Sequence, residues 1–264
     1  MTPEQRYFFD LTGYLHLKCV LQGDALARVR EAVARFLHTP PDQRLGKYKI
    51  GEKTYYHAIG FDPAMDALAV HPGIWSIIRE FTGGRPQMSG SEVICNKKGE
   101  GGLPLHCARE SYASHTTSYA VKEGHIFCNN CVVFFYLTDV NPGDGGLVLL
   151  PGSHKASFDR PEQMYSGGLI GDDIPPGVVN ITPKAGDVVI FSELTTHGVI
   201  PWQPLDRERR MVNYRYKTQE SGWKHRFSDK LKSQLHPALV ELISDAGSHR
   251  ISKGIGKTNV VALD

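Results

Sequence analysis

Two histidines and an arginine beside strand-like runs are the residues of this chain best placed to do chemistry. His106 follows the flexible run Gly101-Gly-Leu-Pro-Leu, and His197 follows a turn and a buried strand-like run at 187–191. Arg209 opens a third run, which has the alternation of a β-strand. Two imidazoles that meet in space can bind a divalent metal, and the planar guanidinium of a nearby arginine can bind a carboxylate. The pattern therefore predicts a metal site with a carboxylate cosubstrate beside it.

A carboxylate ligand is missing from the expected place beside the first histidine. A metal site with two histidines and one carboxylate needs an aspartate or glutamate, but the chain has Ala108 two residues after His106. Glu110 lies one helical turn beyond His106, and Glu193 lies four residues before His197. Either glutamate is a candidate third ligand, and each is also explained as a solvated or salt-bridged side chain. Water in the third position is the other possibility.

Length, composition and charge describe an ordinary globular protein. The chain has 264 residues, of which 41% are hydrophobic and 22% charged, and its net charge is +2. These values give no support for nucleic acid or a membrane as the main partner. No apolar run approaches the roughly 20 residues that span a bilayer, and the first residues lack the apolar core of a signal peptide. We therefore expect a cytoplasmic protein, whose oligomeric state has no signal in the sequence.

The predicted elements form a β core with helices outside it. Apolar residues at helical spacing predict an amphipathic helix at 24–38. A short first helix is predicted to close at 7–10, and further helices are predicted at 64–71, 73–81 and 227–246, the last kinked or split by Pro237. A first strand is predicted at 13–17, and the others lie at 92–96, 131–138, 146–150, 178–182, 187–191 and 210–217. Glycine and proline clusters separate these strands, which favours an antiparallel sandwich or barrel.

No repeat or linker divides the chain, so we predict a single domain over 1–264. Its parts are a helical N-terminal part at 1–84, a β core at about 85–217 and a C-terminal helical extension at 218–264. The fold class is therefore mainly β with flanking α-helices.

The order of these motifs resembles the phytanoyl-CoA dioxygenase family of Fe(II)/2-oxoglutarate-dependent oxygenases. The resemblance covers about residues 2–217 and is strongest over 132–155, which ends in Pro-Gly-Ser-His-Lys. It implies a double-stranded β-helix, the jelly roll of the cupins, with helices at both ends. It also implies that His106 and His197 bind Fe(II) and that Arg209 binds 2-oxoglutarate. Arg207 and Arg210 lie close enough in the sequence to leave the choice of arginine open.

The resemblance implies a reaction with O2, and Ala108 leaves its outcome open. The family pattern is His-x-Asp, and this chain reads His106-Cys-Ala108. Hydroxylation of a small organic substrate is the leading interpretation. Related 2-oxoglutarate halogenases have alanine or glycine at this position, where chloride binds, so chlorination is an alternative. A catalytically silent binding protein on the same fold is the alternative outside enzymes.

The segment 109–125 is unusually polar and lies close to the predicted site. Long loops near a scaffolded site often carry specificity, so this segment is a candidate lid over the substrate pocket. Tyr112, His115 and Tyr119 are its candidates for substrate contact. A surface loop without any catalytic contact explains the same composition.

Overall fold

The computed structural model of the protein describes residues 1–50, 53–110, 116–161, 174–221, 227–244 and 254–263. The chain forms two compact units. The first comprises Met1–Leu21 and Ile94–Met211, and the second comprises Gln22–Val93 and Val212–Asp264. None of the helices in the described ranges is both long and apolar enough to span a membrane.

The strands of the described chain, in order, are β1 (Tyr14–Leu17), β2 (Lys47–Ile50), β3 (Lys53–Tyr56), β4 (Pro86–Asn96), β5 (Leu103–His106), β6 (Tyr119–Lys122), β7 (His125–Cys128), β8 (Asn130–Tyr136), β9 (Gly146–Leu149), β10 (Val179–Asn180), β11 (Val188–Ser192), β12 (His197–Ile200) and β13 (Arg209–Thr218). The α-helices are α1 (Pro3–Thr12), α2 (Gly23–His38), α3 (Pro63–Asp66), α4 (Pro72–Phe81), α5 (Asp229–Lys232) and α6 (Pro237–Leu242).

Two β-sheets form the framework of the first unit. One has the strand order β1–β11–β8–β13–β4, in which residues 209–211 and 94–96 are the parts of β13 and β4 that belong to this unit. The other has the order β10–β9–β12–β5. Strand β11 pairs antiparallel with β1 and β8, and β12 pairs antiparallel with β9 and β5. This arrangement confirms the predicted fold class, a mainly β jelly roll with flanking helices.

An apolar core joins strands of both sheets in this unit. Alternate positions of β8, β9 and β11 contribute their side chains to it, because successive residues of a strand point to opposite faces. Its buried members are Val132, Phe134, Tyr136, Val140, Leu147, Leu149, Ile181, Val189, Phe191, Trp202 and Met211. Burying each large apolar side chain contributes roughly 1.5–3 kcal/mol, so this cluster holds the sheets in a fixed relation around any site that lies between them.

Helix α1 belongs to the first unit, and both of its ends are capped. The Thr2 hydroxyl accepts a hydrogen bond from the backbone N–H of Gln5, whose side chain bonds back to Thr2. This reciprocal pair satisfies N–H groups that a helix start leaves without partners. The helix ends at Gly13, whose φ of 78° favours glycine. The chain then turns directly into β1.

The second unit is mainly helical, with a β2–β3 hairpin. Two tyrosines of β13 fasten the strand to the segment after α2, since the hydroxyl of Tyr214 donates to the Met65 carbonyl at 2.6 Å and that of Tyr216 to the Ala69 carbonyl at 2.7 Å. The apolar face of α4 is buried through Ile74, Trp75, Ile77, Ile78 and Phe81.

Most predicted elements are present, and the differences have local causes. The helix predicted at 24–38 is α2, and the β core predicted at about 85–217 corresponds to β4 through β13. Two hairpins were not predicted: β2–β3 lies in the part expected to be helical, and β6–β7 lies partly in the segment expected to be a polar loop. Strands β3 and β6 have only exposed or half-buried residues, and β7 buries Ile126 and Cys128 within four residues, so the apolar pattern is too short to stand out in the sequence. The C-terminal helix predicted at 227–246 is split into α5 and α6, with Pro237 opening the second helix; residues 245 and 246 lie outside the described ranges.

Asp66 in the second unit makes stability depend on pH. Burial raises the pKa of its carboxyl from 3.8 to about 6, although the Gly60 N–H donates to this carboxyl at 2.6 Å. The folded protein therefore holds a proton that the unfolded chain has already released between about pH 4 and pH 6. Stability contributed by the neutral form is present below pH 4 and is lost as the pH rises through 6.

Replacing Asp66 with asparagine should therefore stabilise the protein at neutral pH. A pKa change of one unit corresponds to about 1.4 kcal/mol, so we expect the free energy of unfolding at pH 7.5 to rise by roughly 1–3 kcal/mol. At pH 4 the difference should nearly vanish, because the native carboxyl is then neutral as well. Urea unfolding at both pH values measures this, with the exposed Asp42→Asn as control. Equal stability of Asp66→Asn and wild type at pH 7.5 would contradict the argument.

Candidate metal and cosubstrate site

His106 and His197 meet across two neighbouring strands of the first unit. His197 begins β12 and His106 ends β5, and the antiparallel register places the two residues directly opposite each other. Their ring centroids are 4.2 Å apart with an angle of 51° between the planes. The ring of Phe191 lies 4.8 Å from that of His197 and covers it from the apolar core. The pairing therefore brings both predicted metal-binding imidazoles together.

The same local hydrogen bond orients both imidazoles. Nδ1 of His197 lies 2.7 Å from the carbonyl of Thr195, and Nδ1 of His106 lies 2.9 Å from the carbonyl of Pro104. In each case the carbonyl belongs to the residue two positions earlier. Since a carbonyl can only accept, Nδ1 carries the proton and the lone pair is on Nε2. Histidines that bind metals commonly fix their second nitrogen in this way.

Burial keeps His197 in the form that a metal requires. Only 5% of the residue is exposed, and burial lowers the pKa of its imidazole to about 4, although the Thr195 carbonyl and the charge of Glu110 act in the opposite direction. A neutral imidazole at physiological pH does not need to lose a proton before it binds a cation.

Arg209 lies deep in the first unit and has unused hydrogen-bonding capacity. It is 2% exposed, and its Nε and Nη2 donate to Oδ1 of Asn96 at 3.1 and 2.7 Å. Among the described residues, Nη1 has no hydrogen-bond partner although it is buried. A buried charged donor without an acceptor is costly. This guanidinium is therefore suited to bind an anionic ligand by donating a hydrogen bond to it.

Tyr136 supplies a second buried donor that interacts with this arginine. The Tyr136 hydroxyl is likewise buried without a partner in the described part of the chain, and burial raises the pKa of the phenol to a value at which it stays protonated. The positive charge of Arg209 acts on the same phenol in the opposite direction. Gly146 leaves room for the guanidinium, since a Cβ there would lie 3.2 Å from Nη1. Sequence reasoning missed Tyr136, which lies in an apolar run and has the alternation of a core residue.

The two neighbouring arginines face carboxylates of their own. Arg207 pairs with Asp144 and Asp206, and Arg210 donates from Nε and Nη2 to Glu208 at 2.9 and 2.6 Å. Both are more exposed than Arg209. Of the three candidate arginines, Arg209 is the one with a buried donor available.

Glu110 and Glu193 are the two predicted candidates for the third metal position. No group of three or more histidine, cysteine, aspartate or glutamate residues in the described part of the chain is arranged to bind a metal. Glu110 is held by Arg160, whose Nε and Nη2 donate to its two carboxylate oxygens at 2.7 and 3.0 Å. Glu193 is buried, and its carbonyl accepts a hydrogen bond from the backbone N–H of Ala108 at 2.7 Å. A role of either glutamate as a metal ligand stays a prediction. For Glu110, the salt bridge with Arg160 is the explanation that needs no metal.

The predicted substrate-contact residues have separate outcomes. Tyr112 and His115 lie outside the described residues. Tyr119 is the first residue of β6 rather than part of a loop. Its hydroxyl donates to Asp10 of α1 at 2.5 Å, and its ring packs edge-on against His154 with centroids 4.6 Å apart. A contact of Tyr119 with substrate stays a prediction.

The residues of the first unit fit a divalent metal together with an anionic cosubstrate. Two facing imidazoles whose Nδ1 atoms are bonded to carbonyls leave Nε2 for a metal, which matches the preference of first-row metals for nitrogen ligands. The unsatisfied donors of Arg209 and Tyr136 match a carboxylate, which accepts two or more hydrogen bonds. These are properties of the donors themselves, and they agree with the predicted assignment of Fe(II) and 2-oxoglutarate.

Comparisons with known proteins identify the fold and the family. HygX from Streptomyces hygroscopicus, solved with nickel and 2-oxoglutarate bound, is 21% identical, with 83% of this chain and 87% of HygX covered and a TM-score of 0.68. The non-heme alpha ketoglutarate dependent epimerase SnoN from nogalamycin biosynthesis is 19% identical, with 82% of each chain covered and a TM-score of 0.57. AviO1 from Streptomyces viridochromogenes Tue57 is 18% identical, with 80% and 92% covered and a TM-score of 0.57. No curated protein sequence matches the chain.

The family profile described as phytanoyl-CoA dioxygenase (PhyH) matches residues 9–200. This span is well over half of the chain, contains His106 and His197, and ends before Arg209. It agrees with the two-sheet fold and with the motif order. The chain therefore belongs to the phytanoyl-CoA dioxygenase (PhyH) family of Fe(II)/2-oxoglutarate-dependent oxygenases.

Proposed function

We propose that this protein hydroxylates a small organic substrate with Fe(II), 2-oxoglutarate and O2. The observation that carries the proposal is the pair of buried, unsatisfied donors on Arg209 and Tyr136, in the same compact unit as the facing imidazoles of His106 and His197. An isolated histidine pair has many structural explanations. A buried guanidinium donor without an acceptor is costly, and a bound carboxylate would offset that cost.

Each residue has a distinct role in this proposal. His106 and His197 hold Fe(II) through Nε2, while the carbonyls of Pro104 and Thr195 keep their rings in the binding tautomer. Arg209 binds a carboxylate of 2-oxoglutarate through Nη1, and Tyr136 donates a further hydrogen bond. Fe(II) and 2-oxoglutarate, when bound, would activate O2, the oxidant, for attack on an unactivated C–H bond. The protein orients the substrate and excludes bulk water through the apolar core.

Chlorination is the alternative reaction, and Ala108 is the observation that favours it. Ala108 is buried, and its side chain cannot bind a metal. Glu110, two residues later, forms a salt bridge with Arg160. A position without a protein carboxylate is available to a monoanion such as chloride. The same observation also favours a third possibility, a binding protein with weak metal affinity and no turnover.

The proposed substrate class is a small organic molecule. HygX has been solved with hygromycin B bound, which supports a small-molecule substrate without identifying it. Family membership does not by itself imply an acyl-CoA, and the sequence has no cluster of basic residues that is evidently dedicated to the phosphates of coenzyme A.

The proposal is tested by an anaerobic titration of metal-free protein with Fe(II) and 2-oxoglutarate. We expect the visible charge-transfer band that arises when 2-oxoglutarate chelates iron, with micromolar or tighter binding of each. The band should be lost in His106→Ala, His197→Ala and Arg209→Ala. Absence of the band at saturating metal would overturn the oxygenase proposal and leave a binding protein.

Ala108→Asp distinguishes hydroxylation from the alternatives. A carboxylate at this position should tighten Fe(II) binding by at least about 10- to 100-fold, the range that supporting residues around a metal site typically contribute. If the native protein chlorinates, its products should depend on chloride, and Ala108→Asp should abolish that dependence. Ala108→Asn is the matched neutral control. Unchanged Fe(II) affinity in Ala108→Asp would indicate that another group already occupies the third position.

A further inference from the structure

Thr195 connects the proposed metal ligand His197 to the end of the first helix. Its backbone carbonyl accepts the hydrogen bond from Nδ1 of His197 at 2.7 Å. Its side-chain hydroxyl donates to the carbonyl of Gly13 at 3.0 Å, and this contact is buried. The residue is fully buried. One residue therefore bonds the metal-binding ring on one side and a distant part of the chain on the other.

Gly13 receives this segment at a position where only glycine fits. Its carbonyl also accepts the backbone N–H of Ser192 at 3.0 Å, so two hydrogen bonds from the β11–β12 connection meet on it. A Cβ on Gly13 would lie 2.5 Å from the Thr195 hydroxyl and 2.5 Å from Nδ1 of His154, closer than such atoms approach. Its φ of 78° also disfavours other residues. The end of α1 is thus fitted against the segment that leads into His197.

Two further hydrogen bonds hold the backbone of Thr196, which lies between Thr195 and His197. The backbone N–H of Thr196 donates to the hydroxyl of Ser153 at 2.7 Å, and this hydroxyl donates to the carbonyl of Leu150 at 2.6 Å. The backbone of Thr196 accepts in turn from the Leu150 N–H at 2.8 Å. The short connection before His197 is therefore fixed from two directions.

We infer that Thr195 is a positioning residue for the metal site, and that its hydroxyl bond to Gly13 sets the orientation of the His197 ring. The inference rests on the proposed function, because it takes His197 as a metal ligand. The hydroxyl fixes the peptide that carries the Thr195 carbonyl, and that carbonyl fixes the tautomer and direction of the imidazole. Without the hydroxyl the peptide is held on one side only, by the Thr196 N–H bond to Ser153, and the Thr195 carbonyl loses its fixed relation to Gly13.

Thr195→Val tests this inference, since valine keeps the shape and removes the hydroxyl. Loss of such outer support typically lowers metal affinity by about 10- to 100-fold. We use Co(II) as the probe and measure both its dissociation constant and the position of its visible d–d bands, which report the coordination geometry. Thr195→Val should weaken binding within that range and shift the bands. Thr195→Ser, which restores the hydroxyl, should bind within about threefold of wild type.

Thr82→Val is the matched control for a simple loss of stability. Thr82 is buried in the second unit, and its hydroxyl donates to the Ile78 carbonyl at 2.7 Å. Thermal melting should show destabilisation in both valine variants, whereas only Thr195→Val should alter Co(II) binding. If Thr195→Val does not fold, Thr195→Ala replaces it with the same expectation.

The outcomes separate the inference from the proposed function. Wild-type protein that binds Co(II) while Thr195→Val behaves like Thr82→Val would overturn the positioning role and leave the metal site intact. Wild-type protein that does not bind Co(II) would overturn the proposed metal site, and the inference with it. Weakened binding in Thr195→Val with recovery in Thr195→Ser would support both.

Discussion

Arg209→Met is expected to weaken 2-oxoglutarate binding by roughly 30- to 5,000-fold, because removing one partner of a buried, hydrogen-bonded charge pair costs about 2–5 kcal/mol. The guanidinium is 2% exposed and has an unused donor on Nη1. Methionine fills a similar length without charge. Isothermal titration of the Fe(II)-loaded protein with 2-oxoglutarate under anaerobic conditions measures the dissociation constant. Tyr136→Phe should have the smaller effect of a neutral hydrogen bond, about 1 kcal/mol or fivefold.

The stability of the ligand-free protein gives an independent readout of the same substitution. Burial lowers the pKa of Arg209, which reflects the cost of a positive charge in the interior. Without a ligand this cost is offset only in part by Asn96. Arg209→Met should therefore melt at a higher temperature than wild type when no ligand is present, and it should lose the thermal stabilisation that 2-oxoglutarate gives wild type.

Arg210→Met is the matched control, since it makes the same change at the next residue. Arg210 is paired with Glu208 and is more exposed. It should leave the dissociation constant for 2-oxoglutarate within about threefold of wild type, as expected for a surface ion pair that contributes about 0–1 kcal/mol. A loss of binding in Arg210→Met, with Arg209→Met unaffected, would mean that the cosubstrate arginine has been assigned wrongly.

His197→Ala is expected to lower Fe(II) affinity by about 100-fold or more, the upper end of the loss typical for a residue that only supports a ligand. The proposed site has two candidate ligands, and no further histidine, cysteine, aspartate or glutamate of the described chain completes a group of three, so each histidine carries a larger share of the affinity than in a site with three protein ligands. Removing His197 leaves His106 as a single ligand, which binds first-row metals weakly. Equilibrium competition with a chromogenic chelator measures the affinity, and His106→Ala should give a similar loss.

His16→Ala controls for the loss of an imidazole elsewhere in the same unit. His16 lies on β1, and its Nε2 is 2.8 Å from Oδ2 of Asp187. The substitution should reduce stability through Asp187 without changing Fe(II) affinity. Unchanged affinity in His197→Ala would exclude this residue as a ligand and would overturn the site.

Local periodicity was sufficient for much of the fold. The amphipathic pattern of 24–38 predicts α2, and the apolar runs at 131–138 and 187–191 predict the strands β8 and β11 that centre one sheet. These elements bury a continuous face, so their pattern survives in the sequence. The strands of the β2–β3 and β6–β7 hairpins have only four residues each, and β3 and β6 contain no buried residue, so their sequences carry little signal.

The candidate residues were predicted from motif order, but the sequence could not select among them. Arg207, Arg209 and Arg210 are equivalent by residue type and spacing. They differ because Asp144, Asp206 and Glu208 pair with the outer two, while Arg209 is buried beside Asn96. The pairing of Arg207 with Asp144 and the burial of Arg209 both depend on segments that are far apart in the chain. Only the folded structure could identify the arginine with an available donor.

The sequence by itself determined the types of most secondary-structure elements, the order of the motifs and the family. It also showed that Ala108 stands where the family has an aspartate. The tertiary structure decided the register that places His106 opposite His197, the burial of unpaired donors on Tyr136 and Arg209, and the link from Gly13 through Thr195 to His197. The physical reason is that the first set depends on residue identity and on periods of a few residues. The second depends on burial and on hydrogen bonds between segments that are far apart in the chain and meet only in the folded protein.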